Sequence, residues 1–126
     1  MRTVALNQNE LEALRILWEH GVAKPAEIQS HFSWPLENAT LRSVLVNLVE
    51  KGHVTRTLRG KTFFYEARVK KTALLRNMLQ TMAHVFAAGS KQELVVQLVK
   101  TGDLMPEDLE VIRRTMAEGA TKETKR

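Results

Sequence analysis

Apolar side chains return every three or four positions through most of this chain, and the exceptions mark its joints. Leu11, Leu14, Leu17 and Trp18 recur at helical spacing after Asn7, with Glu10 three residues past that Asn in a capping-box arrangement. The spacing predicts a first helix ending at His20-Gly21. "KPAEIQSHF" predicts a short second helix, with Pro25 in its first turn, where a missing N–H is harmless, and Ile28 and Phe32 facing inward. "SWPLE" turns the chain. A third helix runs from about Glu37 to Lys51, its inner face made by Leu41, Val44, Leu45, Leu48 and Val49, and stops at Gly52.

The period then drops to two. "HVTRTL" alternates, "RGK" supplies a turn at Gly60, and "TFFYEA" is aromatic and β-prone, so the three pieces form a hairpin. Beyond Val69 the helical period returns in Leu74, Leu75, Met78, Leu79, Met82, Val85 and Phe86. After Gly89-Ser90 it continues through Leu94, Val95, Leu98 and Val99, and then Leu109, Ile112 and Met116. The fold class is therefore mainly α with a small β-hairpin (α+β). Residues 1–70 form a winged helix-turn-helix domain, 71–119 a C-terminal helical dimerisation domain, and 120–126, "ATKETKR", a frayed tail.

The stripe over 74–86 fits either a core within the chain or a surface covered by a second chain. The winged domain already occupies its own apolar faces, which favours the second chain. The dimer-forming positions on this reading are Leu75, Met78, Leu79, Met82, Phe86, Leu94, Leu98, Leu109, Ile112 and Met116.

The outer side of the third helix has an unusual composition. It carries Asn38, Thr40, Arg42, Ser43 and Asn47 in place of the Glu/Lys mixture of an ordinary solvated helix. A narrow face of short hydrogen-bonding side chains suits the major groove of DNA. Arg42 can donate two bonds to a guanine edge, Asn38 or Asn47 can pair with adenine, and Thr40 or Ser43 can bond bases or phosphate. The hairpin tip Arg59-Gly60-Lys61 would straddle the flanking backbone and add salt-sensitive, sequence-independent attraction.

Charge strengthens that picture. The formal charge is +5. Between Lys51 and Lys71 seven basic residues, Lys51, Arg56, Arg59, Lys61, Arg68, Lys70 and Lys71, stand against Glu66 alone. The absence of cysteine excludes disulfides and thiolate metal sites and agrees with a reducing compartment. "MRTVALNQNE" lacks the apolar core of a signal peptide, and no run reaches the roughly 18 apolar residues of a membrane span. Cytoplasm is the expected location, with no membrane insertion. His20, His31, His53 and His84 show no ligand spacing, so neither metal nor cofactor is expected. Trp18, Trp34, Phe63, Phe64 and Tyr65 are packing residues, with Tyr65 also able to reach a phosphate. None of the familiar catalytic signatures is present, which speaks against an enzyme.

Three stretches carry a family likeness. "LNQNELEALRILWEHG", "ATLRSVLVNLVEKGHV" and "RGKTFFYEA" resemble, in order and spacing, the successive motifs of the penicillinase-repressor (BlaI/MecI) family of winged-helix regulators. "GSKQELVVQLVKTGDLMPEDLEVIRRTM" resembles that family's C-terminal dimerisation helices, so the likeness spans roughly residues 6 to 117. It implies a homodimeric repressor on a palindromic double-stranded DNA operator. Thr40, Ser43 and Leu48 stand at the family's recognition-helix Thr, small hydroxyl residue and Leu, and Lys61 and Tyr65 at the wing's usual Arg and Tyr. Asn47 replaces a frequent Arg, Ala39 an occasional Lys, and Met105 the Ser common before Pro106. The resemblance also implies release from DNA when a membrane sensor protease, or a protease acting downstream of it, cuts the helix after the Gly-Ser turn. Gln97-Leu98 occupies the position of the Asn-Phe pair cut in staphylococcal members, although Leu98 equally fits dimer packing. Copper-responsive relatives carry C-terminal Cys motifs, which this chain lacks.

The competing reading is a winged-helix protein-interaction module without sequence-specific DNA binding. It would require an apolar outer face on the third helix or an acidic wing; here one is polar and the other basic.

Overall fold

The computed structural model describes residues 6–102 and 104–124, with side-chain detail as far as residue 119. Three helices open the chain: α1 (Gln8–His20), α2 (Pro25–Ser30) and α3 (Asn38–Glu50). The capping box forms as its residues predict. Asn7 accepts the Glu10 N–H at 2.8 Å and the Glu10 carboxylate accepts the Asn7 N–H at 2.9 Å. At the far end of α3, Gly52 takes φ +80°, a left-handed value that costs glycine little, and lets His53 N–H reach back to the Leu48 carbonyl.

Strands β1 (Val54–Arg59) and β2 (Thr62–Ala67) pair antiparallel from Val54 opposite Ala67 to Arg59 opposite Thr62. Gly60 and Lys61 make a two-residue loop in which Gly60 supplies the positive φ, +66°. A third line of pairing joins the sheet to the helices. Ala23, in the loop between α1 and α2, exchanges both backbone hydrogen bonds with Tyr65, at 3.0 and 2.7 Å. The core between these elements is Leu14, Ile16, Ile28, Leu45, Leu48 and Val54.

Two sequence expectations are corrected in this part of the chain. The second helix ends at Ser30, and Phe32 lies half-buried, edge-on to Trp34, rather than facing the core. Its first turn holds Pro25 as expected, but beyond Ser30 the chain is drawn into the turn that Glu12 anchors. Lys51, counted with the basic run, is committed inward: its ammonium lies 2.9 Å from the Glu10 carboxylate, which is 0% exposed. Tyr65, assigned to the wing's DNA contact, is 7% exposed and lines the groove beside α3. The Ala23 bridge draws β2 onto the helices.

Helix α4 (Lys71–Ala87) follows, then α5 (Lys91–Lys100) and α6 (Pro106–Thr124). The chain divides into two compact units inside α4, between Asn77 and Met78, rather than ahead of it at residue 70. The start of α4 belongs with the first unit, where the Trp18 indole N–H is held by the Val69 carbonyl at 2.9 Å and Leu74 is buried. In the second unit Ala83 and Ala87 are buried, and Ser90 caps α5 by accepting the Glu93 N–H. Met105 cannot cap α6 with its side chain, but Asp108 accepts the Met105 N–H at 2.8 Å and supplies the return half of a capping box. The helix then continues to Thr124 through the Ala, Lys and Glu of the expected frayed tail, all strong helix formers; residues 125 and 126 of that tail lie outside the described residues. Among the described residues no helix is long and apolar enough to cross a membrane.

Candidate nucleic-acid interface

The turn that precedes α3 is fixed from below before any functional side chain is placed. Glu12 accepts from both the backbone N–H and the hydroxyl of Ser33, at 2.9 and 2.8 Å, while Arg15 grips the same carboxylate through two nitrogens. The Arg15 guanidinium, ahead of the two Ser33 bonds, pulls the Glu12 carboxyl down to about 2. The Trp34 indole N–H bonds Asn9 at 2.9 Å, and Gln29 donates to the Leu36 carbonyl at 2.7 Å. These contacts tie the α2–α3 turn to α1 and α2, so α3 starts at Asn38 from a defined point. Sequence reasoning gave Trp34 only a packing role and missed Glu12. A carboxylate that faces inward from an amphipathic helix was the available signal.

Burial of Leu41, Val44, Leu45 and Leu48 then turns the opposite side of α3 outward. Asn38, Arg42, Ser43 and Asn47 are exposed along it and Thr40 is half-buried at its edge. Beside them an open groove of about 650 Å³ runs between α3, the start of α2 and the hairpin. Asn38, Arg42 and Val46 line it from α3, Pro25, Ala26 and Gln29 from α2, and Arg56, Lys61, Thr62 and Phe63 from the hairpin, with Leu41, Leu45 and Tyr65 completing its wall. Lys61 therefore shares a groove with Arg42, closer to the helix than a wing that only straddles the flanking backbone would bring it. Among the described residues neither cation has an ion-pair partner, so both charges are available to an anion.

The wing's other arginines are held by aromatic faces. Arg56 lies over the Phe63 ring at 4.5 Å and Arg59 over the Phe64 ring at 5.0 Å. This stiffens two long side chains on an exposed hairpin without neutralising them. Of the eight residues proposed from sequence, the structure places Asn38, Arg42, Lys61 and the largely buried Tyr65 around one groove, Ser43 and Asn47 on the exposed helix face, Thr40 at its rim and Arg59 on the hairpin. Val46, absent from that set, is exposed on the same face; its failure to fit the buried i, i+3, i+4 stripe was the signal.

The proposed dimer positions are distributed as follows. Leu75 lies in the first unit and is exposed. In the second, Leu79, Met82, Phe86, Leu98, Leu109, Ile112 and Met116 are exposed, and Met78 and Leu94 are half-buried. Gln97 is half-buried and donates to Glu93 at 2.9 Å, beside exposed Leu98.

The profile of the penicillinase repressor family matches residues 6–118. The methicillin resistance regulatory protein MecI of Staphylococcus aureus is 24% identical over 119 residues, covering 91% of this chain and 95% of MecI. The penicillinase repressor of Bacillus licheniformis is 19% identical over 117 residues, 90% of each chain. The crystal structure of YusO from Bacillus subtilis superposes with a TM-score of 0.55 at 17% identity, covering 92% of this chain and 75% of YusO.

Proposed function

This chain belongs to the penicillinase repressor family, and from that premise we propose that it is a DNA-binding transcriptional repressor that grips a palindromic operator as a homodimer. The observation that carries the reading is the shared groove. Arg42 of a helix whose outer face is short and polar and Lys61 of the wing converge on one open surface, and among the described residues neither has an acidic partner. Arg42 supplies base recognition in the major groove, Asn38, Ser43, Asn47 and Thr40 supplement it, and Arg59 and Lys61 bind phosphate. The Tyr65 backbone holds the hairpin against Ala23, and its side chain forms part of the groove wall.

Dimerisation is supported by the apolar side chains that a single chain leaves uncovered on α4, α5 and α6, among them Phe86 at 68% exposure. Release by proteolysis between Gln97 and Leu98, through a membrane sensor protease or one acting downstream of it, follows from the family resemblance and completes the proposal.

Selection of bound duplexes from a randomised pool, followed by salt titration of the selected sequences, tests the reading. A palindromic consensus and affinity falling steeply with salt are expected. Binding without sequence preference would overturn base recognition by α3.

A further inference from the structure

Val46 is the one large apolar side chain that α3 leaves exposed, at 41%, while Leu41, Val44, Leu45 and Leu48 are buried. It contributes little to the core, and a β-branched residue in mid-helix is not there for helix propensity. Its position is specific. It lies one turn beyond Arg42 and two beyond Asn38, and these three line the groove from the helix side; it is also three residues past exposed Ser43. An apolar group is thus set into the middle of a polar reading face. In the major groove the base edges present donors and acceptors with one apolar exception, the 5-methyl group of thymine.

We propose that Val46 reads the 5-methyl group of a thymine in each operator half-site, next to the base that Arg42 contacts. The inference rests on the placement of α3 in the major groove. Cytosine at that position would lose the methyl contact and turn its amino donor toward a side chain with no acceptor, so the preference is for thymine over cytosine as well.

Duplexes selected by the wild-type protein, resynthesised with deoxyuridine in place of each thymine in turn, isolate the methyl group without changing a hydrogen bond. Wild-type affinity should fall by up to about fifteenfold when the symmetric pair of critical thymines loses its methyls, about fourfold for each fully buried methyl. Val46→Ala should bind the thymine and uracil operators alike, within twofold. Alanine is the best helix former and the site is exposed, so the variant folds; far-UV circular dichroism verifies this. Selective binding with no uracil-sensitive position, or uracil sensitivity that persists in Val46→Ala, overturns the inference and leaves the repressor reading standing. Failure of the wild type to select any sequence overturns both.

Discussion

Arg42 and Lys61 approach the same groove with different chemistry, and the difference sets what each can recognise. A guanidinium presents a rigid fork that matches the two acceptors of guanine, whereas an ammonium is a point charge that suits phosphate. Arg42→Ala should therefore relax preference at one base position per half-site, by about 1–3 kcal/mol in competition between operator variants. An unchanged preference would remove Arg42 from base readout. Glu12 acts one step earlier, by holding the turn ahead of α3. Its folded carboxyl sits near 2, below the ordinary 4.5, so its contribution is fully present above pH 4.5 and is lost as pH falls from there toward 2. With a discount for solvent around the half-exposed Arg15, that contribution is about 1–2 kcal/mol. Urea unfolding of wild type and Glu12→Gln should give stabilities that differ at pH 7 and converge toward pH 2. A constant gap between the two would mean that Glu12 acts by shape and not by charge.

At the scale of elements, the parts legible in the sequence are those whose causes are local. The start of α1 needs only Asn7 and Glu10, the end of α3 only Gly52, and the hairpin only a change of period around Gly60. What escaped was decided by residues far apart in the chain. The bridge between Ala23 and Tyr65 is a single pair with no periodicity, yet it holds β2 against the loop between α1 and α2. The Glu10–Lys51 pair joins the start of α1 to the end of α3 and takes one cation out of a run that reads as uniformly basic. The remaining wing cations carry a prediction of their own. Arg59 and Lys61 are exposed at and beside a two-residue loop, where a helix-like fit to base edges is not available. Substituting either by Ala should weaken binding to all sequences alike and reduce the slope of log affinity against log salt by about one unit per lost phosphate contact. A change in consensus without a change in slope would give the wing a base-reading role.

For the whole molecule, the proposed function depends on joining two readers. Leu79 and Met82 are exposed in the single chain, so Asp at either position should leave the isolated fold intact while placing an unpaired charge in the dimer contact. Light scattering should show a monomer, and operator affinity should collapse with the circular dichroism spectrum retained; a dimer that survives both substitutions would move the interface elsewhere. Severing the arm should have the same consequence by a different route. Two linked half-site readers gain an effective concentration worth roughly 10² to 10⁴ in affinity, none of which depends on a base contact. A cut between Gln97 and Leu98 falls within α5, leaves Glu93 and Gln97 on the N-terminal fragment and detaches Leu98 and α6 with Leu109, Ile112 and Met116. Every residue that lines the groove beside α3 lies before Asn77, in the other compact unit, and is untouched by the cut. A designed protease site at 97–98 should therefore yield, after digestion, a protein that still binds a single half-site as before but holds the full palindrome at least a hundredfold less tightly. Equal affinity of cut and intact protein for the palindrome would show that α5 and α6 do not supply the linkage, and would leave the exposed face of α4 as the joint between the two copies.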